Sequence, residues 1–132
     1  MSYRSYIANP EINAALECSW TLHAEAPRIS TIPPDGRPEI VFHLGDLAAE
    51  RLGGRLVSRP RYAVCGQLTQ SLSLATGPST RVIALRLQPW ALTQLFDISS
   101  AELTDKSVEL CAVAPGWGRE LEAIVEWGAP ID

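Results

Sequence analysis

The groups with chemistry to offer in this 132-residue chain are two histidines, three cysteines and arginines set among apolar residues. A transition-metal centre in a small β-rich protein needs three or four converging nitrogen and oxygen donors, most simply two histidines two residues apart with a glutamate close behind. His23 and His43 lack that spacing. Glu39 precedes His43 by four positions on an extended stretch, too far for a shared ligand geometry. No metal and no cofactor is expected. Nucleophilic catalysis has no better basis: there is no G-x-S-x-G, and no serine or cysteine with a base that spacing supports. Gly53-Gly54 lacks the lysine of a phosphate loop. No residue is assigned a catalytic role, and the chain is not expected to be an enzyme. Arg86 is more informative. It sits between Leu85 and Leu87, where a guanidinium must find an acidic partner or an anionic ligand. Glu39 or Asp35 is the favoured partner.

The stretch from Ile32 to Gly45 positions the most interesting of these groups. Pro34-Asp35-Gly36 is turn chemistry: proline presets φ, aspartate can hydrogen-bond the backbone ahead, and glycine accepts positive φ. Glu39 to Leu44 then reads as a strand with Ile40, Phe42 and Leu44 on one face and Glu39, Val41 and His43 on the other. Leu16 to His23 alternates in the same way, with Leu16, Cys18, Trp20 and Leu22 on one side. Further strands are expected over Arg28–Ile32, Tyr62–Gly66, Thr69–Thr76 and Thr80–Leu87. Residues 1–14 read as a polar lead-in with a turn or short helical start at Asn9-Pro10-Glu11. Gly45 to Arg61 reads as a loop with one short strand at Arg55–Ser58. Gly66 marks a bulge or a close backbone approach.

Pro89 changes the period. Trp90 to Phe96 repeats at helical spacing, Ser99 and Glu102 have the spacing of a capping box, and a last helix opens at Pro115-Gly116. There Trp117, Leu121, Ile124, Val125 and Gly128 share a face. The expectation is one domain, mainly β with C-terminal helices (α+β). It comprises a β-barrel or sandwich over about 15–88 and a helical part over about 89–128.

The chain carries a net charge of −4, and no apolar run is long enough to span a bilayer. A protein gripping nucleic acid by itself usually shows a basic stripe. Here the densest arginine group, Arg51, Arg55, Arg59 and Arg61, reads as a solvated face. Cys18, Cys65 and Cys111 lie far apart among apolar neighbours and are expected as buried reduced thiols, which fits a cytoplasmic protein.

Pro34 to Gly45 resembles the P-D-G-x-x-E/D-L-V-F-x-L-G signature of the N-terminal sensor domain in one subgroup of AraC-type transcription regulators. Val64-Cys65-Gly66-Gln67-Leu68-Thr69 is similar to that family's G-x-x-T strand. Ile83 to Pro89 resembles its G-V-R-F-x-P strand end, with Ala84 in place of the glycine and Trp90 following the proline. Glu102 to Leu110 resembles its E-L-x-D-x-x-V-x-L segment. The resemblance covers about residues 15–127 and implies a cupin-like β-barrel that senses a small effector or mediates dimerisation. In that family two helix-turn-helix motifs that read DNA follow such a domain, and this chain is expected to lack them.

The expected function is therefore effector sensing, homodimerisation or both, with DNA reached only through a separate module and no membrane contact. Glu39, His43, Gln67 and Arg86 are the polar pocket candidates, with Trp20 or Trp90 as an apolar wall. By the resemblance, Leu121, Ile124 and Val125 on the last helix are candidates for the dimer contact. The alternatives are a metal-independent cupin enzyme or small-molecule binding protein, and a filled, ligand-free dimerisation module.

Overall fold

The structure is a computed structural model that describes residues 2–7, 16–34, 36–52 and 54–126. The turn at Asn9-Pro10-Glu11, Asp35, Gly53 and Gly128 lie outside the described residues, as do the side chains of Trp117, Leu121, Ile124 and Val125. In chain order the strands are β1 (Ser2–Ile7), β2 (Leu16–His23), β3 (Arg28–Ile32), β4 (Glu39–His43), β5 (Ala49–Leu52), β6 (Arg55–Ser58), β7 (Tyr62–Cys65), β8 (Leu72–Thr76), β9 (Arg81–Leu87) and β10 (Ser107–Glu109). The helices are α1 (Ala91–Phe96), α2 (Leu110–Val113) and α3 (Pro115–Glu126), with a 3-10 turn at Ser100–Leu103.

Two antiparallel sheets result. The larger has the order β1-β2-β9-β4-β7-β10 and the smaller β3-β8-β5-β6. They are separate and do not close into a barrel, which corrects the barrel half of the expectation and leaves the mainly β, two-sheet half. Two further differences are local. Part of the polar lead-in is β1, paired along its length with β2. The stretch read as a loop contains a second strand, β5, which forms a hairpin with β6.

Alternation along the central strands gives the larger sheet two different buried faces. Ile40 and Phe42 of β4, Val64 of β7 and Leu87 of β9 pack with Ala91 and Leu92 of α1, Leu103, and Leu110 of α2. The residues between them face the smaller sheet: Val41, Ala63, Cys65, Val82 and Ala84, with Trp20 and Leu22 against them. A register shift between Leu16 and Cys18 places Leu16 opposite Leu87. Leu16 therefore joins the helical side, not the face of Trp20 and Leu22 expected from strict alternation.

The turn before β4 behaves as its residues require, with Gly36 at φ +70°. Gly66 is a close approach. A Cβ there would lie 1.8 Å from the Leu103 carbonyl oxygen, and the Gly66 N–H donates to the Lys106 carbonyl at 2.9 Å. Ser99 makes no side-chain cap bond, so the capping box does not form; instead its carbonyl accepts from the Glu102 N–H at 3.0 Å.

Candidate functional site

Cross-strand register arranges the inner face of the larger sheet in three rows. The first runs Cys18, Arg86, Glu39, Cys65 and Ser107. The second runs Trp20, Ala84, Val41 and Ala63. The third runs Leu22, Val82 and His43. The middle row is built from small side chains beyond Trp20, so between the first and third rows the sheet surface is low. Opposite it, the smaller sheet presents Ser30, Ile32, Leu74 and Thr76. A cavity of about 190 Å³ lies between the sheets.

Its polar lining is Glu39, His43, Arg59 and Arg86, with Ser30 and Thr76. The rest is apolar: Trp20, Leu22, Ile32, Ala48, Leu74 and Val82. A pocket that is mainly apolar with a few placed polar groups suits a small organic molecule. A smaller void of about 20 Å³ adjoins it, sharing Ile32, Glu39 and Arg59 and reaching Glu50, Cys65 and Ser107. That is room for about one water.

Glu39 and Arg86 are direct cross-strand partners, with Arg86 Nε 3.6 Å from Glu39 Oε2. The same oxygen accepts from Trp20 Nε1 at 2.6 Å. This is the acidic partner that Arg86 required. Arg59 is only 8% exposed and donates from Nε to Glu50 Oε2 at 2.9 Å. Ser107 Oγ lies 3.2 Å from the same carboxylate oxygen and 3.3 Å from Cys65 Sγ.

His43 is fully buried, and its Nδ1 lies 3.1 Å from the Arg61 carbonyl oxygen. A carbonyl can only accept, so Nδ1 carries the proton. Burial, reinforced by the nearby Arg59 and Arg61 charges, holds the imidazole below its usual range despite that bond. The neutral ring thus presents an Nε2 lone pair. Among the described residues no partner meets Nε2, although the ring lines the cavity.

Four sequence candidates, Trp20, Glu39, His43 and Arg86, come together around this space. Gln67 and Trp90 do not line it. Gln67 follows β7 and accepts the Asp105 N–H on its backbone carbonyl at 2.9 Å, while Trp90 stands before α1 at 46% exposure. The backbones of Leu121, Ile124 and Val125 lie in α3. Sequence reasoning missed Arg59, grouped with three arginines that are exposed. The available signal was Pro60 beside it and Glu50 nine residues earlier, across a hairpin that was read as loop.

Cys18 and Cys65 are buried free thiols, whereas Cys111 is half-buried and donates from Sγ to Glu122 Oε2 at 2.8 Å. Burial pushes the Cys65 thiol up, away from nucleophilic character. No cluster of three His, Cys, Asp or Glu suited to a metal occurs among the described residues. Among them no helix is long and apolar enough to cross a membrane.

No curated protein and no solved structure matches the chain. Residues 4–109 match the family described as Domain of unknown function (DUF6597), and the chain belongs to that family.

Proposed function

We propose that this chain is the effector-sensing domain of an AraC-type transcription regulator, a cupin-like sandwich that holds a small molecule between its sheets. The observation that carries the reading is the 190 Å³ cavity, with a buried acceptor, His43 Nε2, that meets no donor among the described residues. Buried polar atoms are ordinarily satisfied, so an orphan facing a cavity favours an occupant. The resemblance of four ordered segments to the sensor subgroup supplies the regulatory context. A net charge of −4 agrees with DNA contacts made by a separate module. Signalling would be a population shift driven by the ligand's differential affinity for two arrangements of the sheets and helices. The same reading assigns α3 to pairing with a second copy.

The test is thermal unfolding of the chain against a panel of small metabolites, with Ala48→Leu in parallel. Ala48 is buried and lines the cavity, so leucine there takes up its volume. A compound that raises the midpoint of the parent and not of the variant supports the reading; no shift with any compound counts against it. Two helix-turn-helix motifs encoded in frame beyond Asp132 would support the regulatory half.

One observation favours a second reading, a metal-independent enzyme. A desolvated neutral imidazole with a free lone pair is also what a general base requires. Mass spectrometry of any bound compound after prolonged incubation separates the two, since a sensor returns it unchanged.

A further inference from the structure

Among the described residues the charged groups of the cavity are ion-paired, and the neutral His43 leaves its Nε2 without a hydrogen-bond donor. Arg59 is held by Glu50 at 2.9 Å and Arg86 by Glu39 at 3.6 Å, so the two guanidiniums face two carboxylates. An entering anion would have to displace a carboxylate from its arginine, and an entering ammonium would have to displace an arginine from its carboxylate. Either exchange leaves a charge in a poorly solvated place without its partner. Charge balance therefore selects a neutral molecule.

His43 is the unmatched group. Its Nδ1–H is committed to the Arg61 carbonyl, so the ring cannot turn Nε2 into a donor without losing that bond. Nε2 can accept only, and the complementary ligand group is a hydroxyl or N–H. Thr76 Oγ1 is directed elsewhere, to the Arg28 carbonyl at 3.5 Å.

Volume sets the size. A cavity of roughly 150 Å³ admits a benzene ring, and this one measures about 190 Å³. That accommodates one ring with a small substituent. Trp20, Leu22, Ile32 and Leu74 supply the apolar surroundings such a ring needs.

Resting on the reading of this cavity as a ligand site, we infer that its occupant is a neutral, single-ring molecule with one hydrogen-bond donor. The donor gives its proton to His43 Nε2, and the ring lies among Trp20, Leu22, Ile32 and Leu74. The matched ion pairs act as the polar walls that exclude charged analogues of the same size.

The test is calorimetric titration of the chain with phenol, anisole and benzoate near neutral pH. Phenol has the donor, anisole masks it with a methyl group, and benzoate adds a negative charge at similar size. Phenol is expected to bind about tenfold more tightly than anisole, the worth of one good hydrogen bond, with benzoate weakest. His43→Phe is expected to abolish the preference for phenol over anisole. The Arg61 carbonyl stays satisfied in that variant, because it also accepts the His43 backbone N–H at 2.7 Å. If His43→Phe does not fold, the series on the parent protein decides alone. Equal binding of phenol and anisole, or tighter binding of benzoate, overturns the inference while leaving the ligand-site reading intact. Binding of none of the three overturns both.

Discussion

The backbone carbonyl of Arg61 accepts twice from His43, from the backbone N–H at 2.7 Å and from Nδ1–H at 3.1 Å. Arg61 answers with its own side chain, Nη1 donating to the carbonyls of His43 at 3.2 Å and Gly45 at 2.9 Å. The end of β4 and the approach to β7 are thereby clasped, and the imidazole is held in one tautomer, with Nε2 meeting no donor among the described residues.

This clasp makes stability depend on pH. The folded imidazole titrates below the 6.5 of an ordinary histidine, chiefly because it is buried. The unfolded chain therefore binds more protons in the window below 6.5. The contribution of His43 is fully present above that value and declines as pH falls toward the folded pKa, by at most about 1.4 kcal/mol per pH unit. Denaturant unfolding at about pH 7.5 and about pH 5.5 should show a smaller loss in His43→Phe than in the parent. Equal losses would show that His43 is not the titrating group.

Glu39 Oε2 accepts from Trp20 Nε1 and is ion-paired with Arg86, whose Nε lies 3.6 Å away. Glu39→Ala should lose about 2–3 kcal/mol, since it strands an indole N–H and a partly buried guanidinium. Glu39→Gln should lose less, because an amide oxygen still accepts from Trp20. Combining Glu39→Ala with Arg86→Leu should cost less than the sum of the single changes. Strict additivity would mean that the pair does not interact.

The same glycine-to-alanine change should act by two different routes. At Gly66 a methyl group meets the Leu103 carbonyl at 1.8 Å, so backbone must move, and a loss of about 2–4 kcal/mol is expected. At Gly36 nothing lies within 4 Å among the described residues, and the penalty is only the φ of +70°, about 1 kcal/mol. Chemical denaturation of the two variants should rank them in that order; a reversed order would remove the close-approach argument.

Asp105 accepts from the Thr69 backbone N–H at 2.8 Å and from the Thr69 hydroxyl, and these bonds lower its pKa. Its contribution is present above the unfolded value near 3.8 and lost as pH falls through the folded value. Thr69→Val, which removes the hydroxyl donor, should therefore narrow the stability difference between about pH 5 and about pH 3. An unchanged difference would detach Asp105 from the acid response.

Alternation in Glu39–Leu44 and Leu16–His23 was enough to put Glu39 and His43 on one face of β4 and Trp20 on one face of β2. Arg86 was legible for the opposite reason, as a charge set between Leu85 and Leu87 in an apolar strand. Arg59 was hidden because its burial depends on Glu50, and β5 lacks the apolar alternation that would announce a strand. β1 was missed on the same ground. Closure could not be read at all, since it depends on pairings between distant segments. The segments resembling a sensor domain do meet in space. Thr69 bonds Asp105, Gly66 rests on Leu103, Glu39 faces Arg86, and the Leu87 N–H donates to the Pro38 carbonyl at 2.9 Å. Much of what that resemblance captured is thus the joinery of one end of the fold.

β4 is five residues long and has no spare side: Val41 and His43 look into the inter-sheet space, while Ile40 and Phe42 bear on α1 and α2. Cavity and helical layer are therefore two rooms divided by a partition one polypeptide thick. Packed interiors do not absorb volume locally. Anything that swells or shrinks one room must shift the furniture of the other.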